Sequence, residues 1–123
     1  IATDIGHMDK KIIKNLEESS FILLEANYDP NILSYSRYPY SLKQRIAGPN
    51  GHLSNEAAGK TISYLLSSGL QNVMLGHLSK ENNFPELAYA TTKNVLTKNE
   101  MIIGKDLTLD VLSRDKVSKV YEL

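Results

Sequence analysis

The chain has no cysteine. That excludes a disulfide framework and any thiolate metal site, and it leaves histidines and carboxylates as the transition-metal ligands available. Net charge is also absent, because 14 basic side chains balance 14 acidic ones. There is thus no global electrostatic case for binding nucleic acid or membranes, although a local basic patch is not excluded. No apolar run approaches the roughly 18 residues that a membrane span needs, and the start carries no basic, apolar and small-residue secretory signal. A cytoplasmic location without a membrane partner is expected. Several catalytic signatures are missing too: a His-Glu-x-x-His helix, a His-x-His pair, a phosphate loop, a dinucleotide fingerprint and a Gly-x-Ser-x-Gly elbow.

What remains is 123 residues, about one domain in length. The chain opens on Ile1-Ala2-Thr3 rather than Met, in sequence that already reads as strand, so it is expected to be a piece of a longer protein. Gly-His-Leu-Ser occurs twice, at Gly51-His52-Leu53-Ser54 and at Gly76-His77-Leu78-Ser79, and holds two of the three histidines.

Residues 1–5 read as the end of a strand with Asp4 near its carboxyl edge and Gly6 breaking it. Met8, Ile12, Ile13 and Leu16 then recur at helical spacing. Phe21-Ile22-Leu23-Leu24 is a continuous apolar strand buried on both faces, followed directly by Glu25. Residues 28–51 form a long, weakly periodic connection that carries one short helix over residues 40–46, with Lys43 and Arg45 on it. Ser54 caps a helix running to about residue 67, with Ala57, Ala58, Thr61, Ile62, Leu65 and Leu66 as its buried stripe. A strand over Asn72–Gly76 delivers His77. Pro85 starts a further helix with Leu87, Ala88, Thr91, Val95 and Leu96 inward. Residues 107–111 form a strand, and residues 117–123 return as its antiparallel edge partner. Strands alternating with helices make an α/β layer with a mixed sheet.

Asp4, Glu25 and His77 follow three consecutive strands, and His52 precedes the helix between the second and third. In open α/β sheets ligands bind outside the carboxyl ends of the strands. One such residue has a plain alternative, a solvated strand exit for Glu25 or a structural histidine for His77; four in register favour a site. Lys43 and Arg45 could meet substrate phosphates, although two basic residues on a short helix more often form a solvated face. His7 is expected to be a surface or capping residue and Met8 a core residue.

Ala2-Thr3-Asp4-Ile5-Gly6, Leu24-Glu25-Ala26-Asn27-Tyr28-Asp29, Tyr38-Pro39-Tyr40-Ser41-Leu42-Lys43-Gln44-Arg45-Ile46, Gly51-His52-Leu53-Ser54-Asn55 and Gly76-His77-Leu78-Ser79-Lys80-Glu81-Asn82-Asn83 together resemble the carboxyl-terminal half of metallo-β-lactamase-fold hydrolases. The likeness is to the YycJ/WalJ group, related to ribonuclease Z-type phosphodiesterases, and covers nearly the whole chain. It implies one half, residues 1–123, of a four-layer αββα sandwich with helices mainly on one face of the sheet. It also implies a site for two divalent ions, zinc or manganese, in the complete protein. By that resemblance Asp4 bridges the metals and His77 is a late metal ligand. His52 is then a proton-transferring histidine paired with Glu25. The chemistry fits the residue types, because cations clamp a phosphodiester and activate water while an imidazole held by a carboxylate protonates the departing oxygen.

The family's His-x-His-x-Asp-His run, with a further histidine ligand, belongs to the amino-terminal half and is absent from these residues; Ile5 and His7 also depart from the pattern after the bridging aspartate. The expectation is therefore part of a metal-dependent nuclease whose partners are nucleic acid or another phosphodiester and the amino-terminal half of the same protein. These residues alone would bind metal weakly and be inactive. The alternative is a catalytically incomplete interaction module that forms a homo-oligomer through an exposed sheet face.

Overall fold

Three strands, β1 (Phe21–Glu25), β2 (Asn72–Gly76) and β3 (Thr108–Val111), pair side by side in that order and all parallel, in a computed structural model that describes residues 1–123. Parallel neighbours require crossovers. Five helices occur: α1 (Lys10–Leu16), α2 (Pro30–Tyr35), α3 (Tyr40–Ala47), α4 (Asn55–Leu65) and α5 (Pro85–Lys98). The last two supply the crossovers, α4 between β1 and β2 and α5 between β2 and β3. None is long and apolar enough to cross a membrane.

Strand register aligns Ile22 with Val73 and Leu109, and Leu24 with Leu75 and Val111. Those side chains share one face and form the main core with Ala58, Ile62 and Leu65 of α4 and Ala88 and Leu96 of α5. Each large apolar side chain removed from water contributes about 1.5–3 kcal/mol, so this single layer is what holds the strand ends in register. Gly59 lets the two crossover helices touch, since a Cβ there would lie 2.8 Å from Cβ of Val95.

Local signals explain most helix starts. The Asp9 carboxylate accepts the Ile12 N–H ahead of α1, and the Ser54 hydroxyl accepts the Ala57 N–H ahead of α4. Pro85 occupies the first turn of α5, where no N–H is missed. A short 3₁₀ turn at Leu66–Ser68 extends α4, and Gly69 ends it at φ 98°.

Five expectations need correction. Within residues 1–5 only Ala2 pairs, as a single parallel bridge to Leu24 on the free edge of β1. The connection over residues 28–51 contains α2 as well as α3; Asp29 caps α2 through the N–H groups of Asn31 and Ile32, and Pro30 starts it. The buried turns of α5 are Ala88, Thr92 and Leu96, with Thr91 only half-buried.

The largest difference is at the carboxyl end. Residues 117–123 form no strand, so the sheet is parallel rather than mixed. Lys119 interrupts the alternation of Val117, Tyr121 and Leu123, and its ammonium instead lies 2.8 Å from the carboxylate of Asp110. Tyr121 packs edge-on against Phe21, with ring centroids 5.0 Å apart, and its hydroxyl also donates to Asp110. The segment therefore crosses the sheet face opposite the helices. Met74 is buried on that face while Phe21 and Leu23 are half-buried, so β1 is not covered equally on both sides as its apolar run implies.

Candidate active site

The carboxyl ends of the strands converge as expected. Glu25 is the last residue of β1, His77 directly follows β2, Asp4 follows the Ala2 bridge, and His52 sits in the loop before α4. One ligand atom from each of these four lies within 4.8 Å of those of the other three.

Glu25 is fully buried, which excludes the solvated strand exit. All of its acceptor positions are used. Its Oε1 accepts from Nδ1 of His52 at 2.7 Å and from Nδ1 of His77 at 2.6 Å. Its Oε2 accepts the backbone N–H of Ile5 at 3.1 Å and of Leu53 at 3.2 Å. A carboxylate has only acceptors to offer, so Nδ1 is the donating nitrogen of both rings and each Nε2 is turned away from Glu25. The two imidazoles are tilted by 48° with centroids 5.4 Å apart. Burial, and then the charge of Glu25, push the nearby Tyr28 hydroxyl above its usual range.

Asp4 completes the cluster from the exposed side. Its Oδ1 lies 3.9 Å from Nε2 of His77 and 3.6 Å from Nδ1 of His52. Both Asp4 and His77 have left-handed backbone, at φ 57° and 54°. Such conformations cost on the order of 1–3 kcal/mol and persist where surrounding bonds over-determine them. At His77 the side-chain amide of Asn27 donates to the carbonyl at 2.7 Å.

Gly6 and Gly51 explain how Asp4 and His52 come so close. A Cβ on Gly6 would lie 2.4 Å from the Gly48 carbonyl oxygen and 2.5 Å from the Gly51 nitrogen, and one on Gly51 would lie 2.2 Å from the carbonyl oxygens of Arg45 and Ile46. The 48–51 turn thus presses directly on the chain after Asp4.

The basic pair separates. Arg45 lines a cavity of about 270 Å³ with Asp4, Leu42, Ile46 and His52. Lys43 points elsewhere, its ammonium donating to the Ser34 carbonyl at 2.7 Å. Residues two apart on a helix do not share a face. His7 is exposed and is not a cap, since Asp9 caps α1, whereas Met8 is half-buried against the core as expected. A larger groove of about 650 Å³ lies between α1 and α4, bordered by Lys10, Lys14, Lys60 and Tyr64, and includes none of the four clustered residues.

The donor set suits a cation in part. With Glu25 saturated by four N–H groups, Asp4 and Nε2 of His77 are the facing donors. Their 3.9 Å separation is within reach of two ligands each about 2.0–2.2 Å from one ion. That is fewer than the three protein ligands a catalytic zinc normally takes. The motif patterns in the sequence assign no part to Asn27, and to Gly6 only the end of a strand. For Asn27 the available signal is an asparagine soon after each of Glu25, His52 and His77.

Over its full 123 residues the chain is 36% identical to the exodeoxyribonuclease WalJ of two Streptococcus pneumoniae strains, D39 and R6, and covers 46% of that protein. Over 105 residues, 85% of the chain, it is 30% identical to the exodeoxyribonuclease YycJ of Bacillus anthracis and covers 40% of it. No protein-family model matches, and no solved structure matches. The chain spans about half the length of these curated relatives or slightly less, and it is similar to WalJ over the whole of its own length and to YycJ over most of it.

Proposed function

We propose that the chain contributes the carboxyl-terminal half of a metal-dependent hydrolase that cleaves phosphodiester bonds in DNA. The single observation that carries this is Glu25 accepting Nδ1–H from both His52 and His77 beside Asp4, in a chain resembling proteins named exodeoxyribonucleases along its whole length. Residues 1–123 are one half of a metallo-β-lactamase-like αββα sandwich in a cytoplasmic protein, and the amino-terminal half supplies the remaining metal ligands. By themselves these residues bind metal weakly and are inactive.

Asp4 and His77 are the metal ligands. The distances support this division, because Asp4 faces the Nε2 side of His77 but the Nδ1 side of His52. Two divalent ions, zinc or manganese, would supply Lewis-acidic charge beside the scissile phosphate. His52 acts from its imidazolium form: Nδ1–H stays held by Glu25 while Nε2–H gives its proton to the departing oxygen, leaving a neutral imidazole. Arg45, in the same cavity as His52 and Asp4, attracts the substrate phosphates. Lys43, turned toward Ser34, contributes only at longer range. The test is DNA hydrolysis by the natural protein with whatever sequence flanks these residues, with and without a metal chelator. Chelator-sensitive release of nucleotides is expected, and intact DNA under all metal conditions would reject the reading.

One observation favours the second reading, an interaction module that forms a homo-oligomer. Phe21 and Leu23 stay half-buried on the sheet face opposite the helices, and the segment over them leaves Val117 and Val120 almost fully exposed. Sedimentation of the natural protein separates the two, because a monomer active on DNA leaves no part for self-association.

A further inference from the structure

Asparagine follows three of the four site positions at short range: Asn27 after Glu25, Asn55 after His52, and Asn82 and Asn83 after His77. All four are at most 8% exposed. Buried amides of this kind are found where their hydrogen bonds are made; Oδ1 of Asn82 has no partner, and none of the four belongs to the cluster of candidate ligand atoms.

Asn83 uses its whole bonding capacity. Its Nδ2 donates to the Ala26 carbonyl at 2.9 Å and to Oδ1 of Asn55 at 2.8 Å. Its Oδ1 accepts from Nδ2 of Asn55 at 2.9 Å and from the Phe84 N–H at 3.0 Å. Turning the amide over would set oxygen against the Ala26 carbonyl and nitrogen against two donors, so its orientation is fixed. The reciprocal pair with Asn55 ties the loop after His77 to the first residue of α4, immediately behind the loop that carries His52. The Asn55 backbone N–H is in turn bound to the Tyr28 carbonyl at 3.0 Å, in the segment after Glu25.

Asn27 links the same three segments from the other side. Its side chain holds the His77 carbonyl at 2.7 Å, its N–H donates to the Leu53 carbonyl at 2.8 Å, and its carbonyl accepts the Ser79 N–H at 2.7 Å. Neither aspartate nor glutamine reproduces this. Aspartate lacks the donor and glutamine is one carbon too long.

We infer that Asn83, Asn55 and Asn27 are positioning residues that set the separation of His52 and His77, so that one carboxylate oxygen of Glu25 can hold both imidazoles. Glu25 alone can attract the rings, but the distance between their backbones is set by these amides, which also hold the left-handed conformation of His77. The inference rests on the reading of His52 and His77 as the reacting site, yet its physical content is the state of the two rings.

The test uses the natural protein in full, and reads the ring nitrogens of His52 and His77 by long-range proton–nitrogen NMR beside the thermal midpoint. Wild type should show both rings protonated at Nδ1. Asn27→Ala should shift the His77 nitrogens and leave those of His52 near wild type. Asn83→Ala should shift both, and DNA hydrolysis should fall about 10- to 100-fold, as for loss of outer-shell partners at metal sites. Ile62→Val, a core change in α4, should lower the midpoint and move neither ring. If both asparagine variants lower the midpoint while both rings keep their wild-type signals, the inference is overturned. If Asn83→Ala does not fold, Asn27→Ala decides alone. Should wild type prove inactive on DNA, the functional reading fails while the ring signals still decide the positioning role.

Discussion

Oε1 of Glu25 accepts Nδ1–H of His77 at 2.6 Å across 52 residues of sequence. The same oxygen holds His52, so the carboxylate acts on both histidines at once and every bond to it has a consequence for the other ring.

Replacing Glu25 should therefore be costly even when shape is kept. Glu25→Gln puts an NH₂ group against the N–H groups of Ile5 and Leu53 or against the two imidazole donors. Each donor left unpaired in this buried site costs about 1–3 kcal/mol. Urea unfolding should show a loss of at least that size, and DNA hydrolysis should fall about 10- to 100-fold. A Gln variant as stable and active as wild type would mean that the four bonds are incidental.

Asp4 is exposed and makes no hydrogen bond to the fold through its side chain, so Asp4→Asn should change stability little, within about 0.5 kcal/mol. Metal content of the natural protein should nevertheless drop. Atomic emission on purified variants reads this directly, and unchanged metal content would remove Asp4 from the ligand set.

At Gly6 the expectation is steric. Gly6→Ala forces a methyl to within 2.4 Å of the Gly48 carbonyl oxygen, a backbone atom that yields only if the 48–51 turn moves. A loss of about 1–3 kcal/mol is expected from overpacking, and activity should fall with it because the same turn carries His52. Thermal melts and turnover measured together check this; an unchanged melt would show that the turn is compliant.

The segment over the second sheet face should respond to pH through Tyr121 and Asp110. Burial, then the bond to Asp110 and its charge, push the Tyr121 hydroxyl up to about 12. A raised pKa stabilises the docked form below the usual tyrosine value of about 10, and that contribution is lost as pH rises to about 12. Asp110 has the opposite sign: burial raises it, but bonds from Lys119 and Tyr121 outweigh that and hold it below its ordinary value. Its contribution is present at neutral pH and is lost on acidification through and below the usual carboxylate range. Ultraviolet titration should show two of the seven tyrosines, Tyr28 and Tyr121, ionising late, and Tyr121→Phe should remove one of the two.

Much of this arrangement is legible in local sequence. The apolar runs ending at Glu25 and Gly76 mark β1 and β2, and Ser54, Pro85 and Gly69 mark helix ends, because cap and strand signals act within a few residues. Helix α2 is harder to see. It is only six residues long, and its signal is the Asp29-Pro30 cap rather than a hydrophobic period. The fate of residues 117–123 depends on Tyr121 meeting Phe21 and Asp110 through space, and their near-alternation points the wrong way. The same limit applies at the site. Strand ends locate Asp4, Glu25, His52 and His77 at one edge, but nothing local to Glu25 reports that a single oxygen serves two rings that lie 27 and 52 residues away.

The most direct test of the site is His52→Ala in the natural protein, with metal content and DNA turnover read from the same sample. The expected result is metal retained at the wild-type level with turnover reduced about 100-fold or more, the scale of a lost general acid. Loss of metal with His52, or turnover equal to wild type, would contradict the division of roles between His52 and His77.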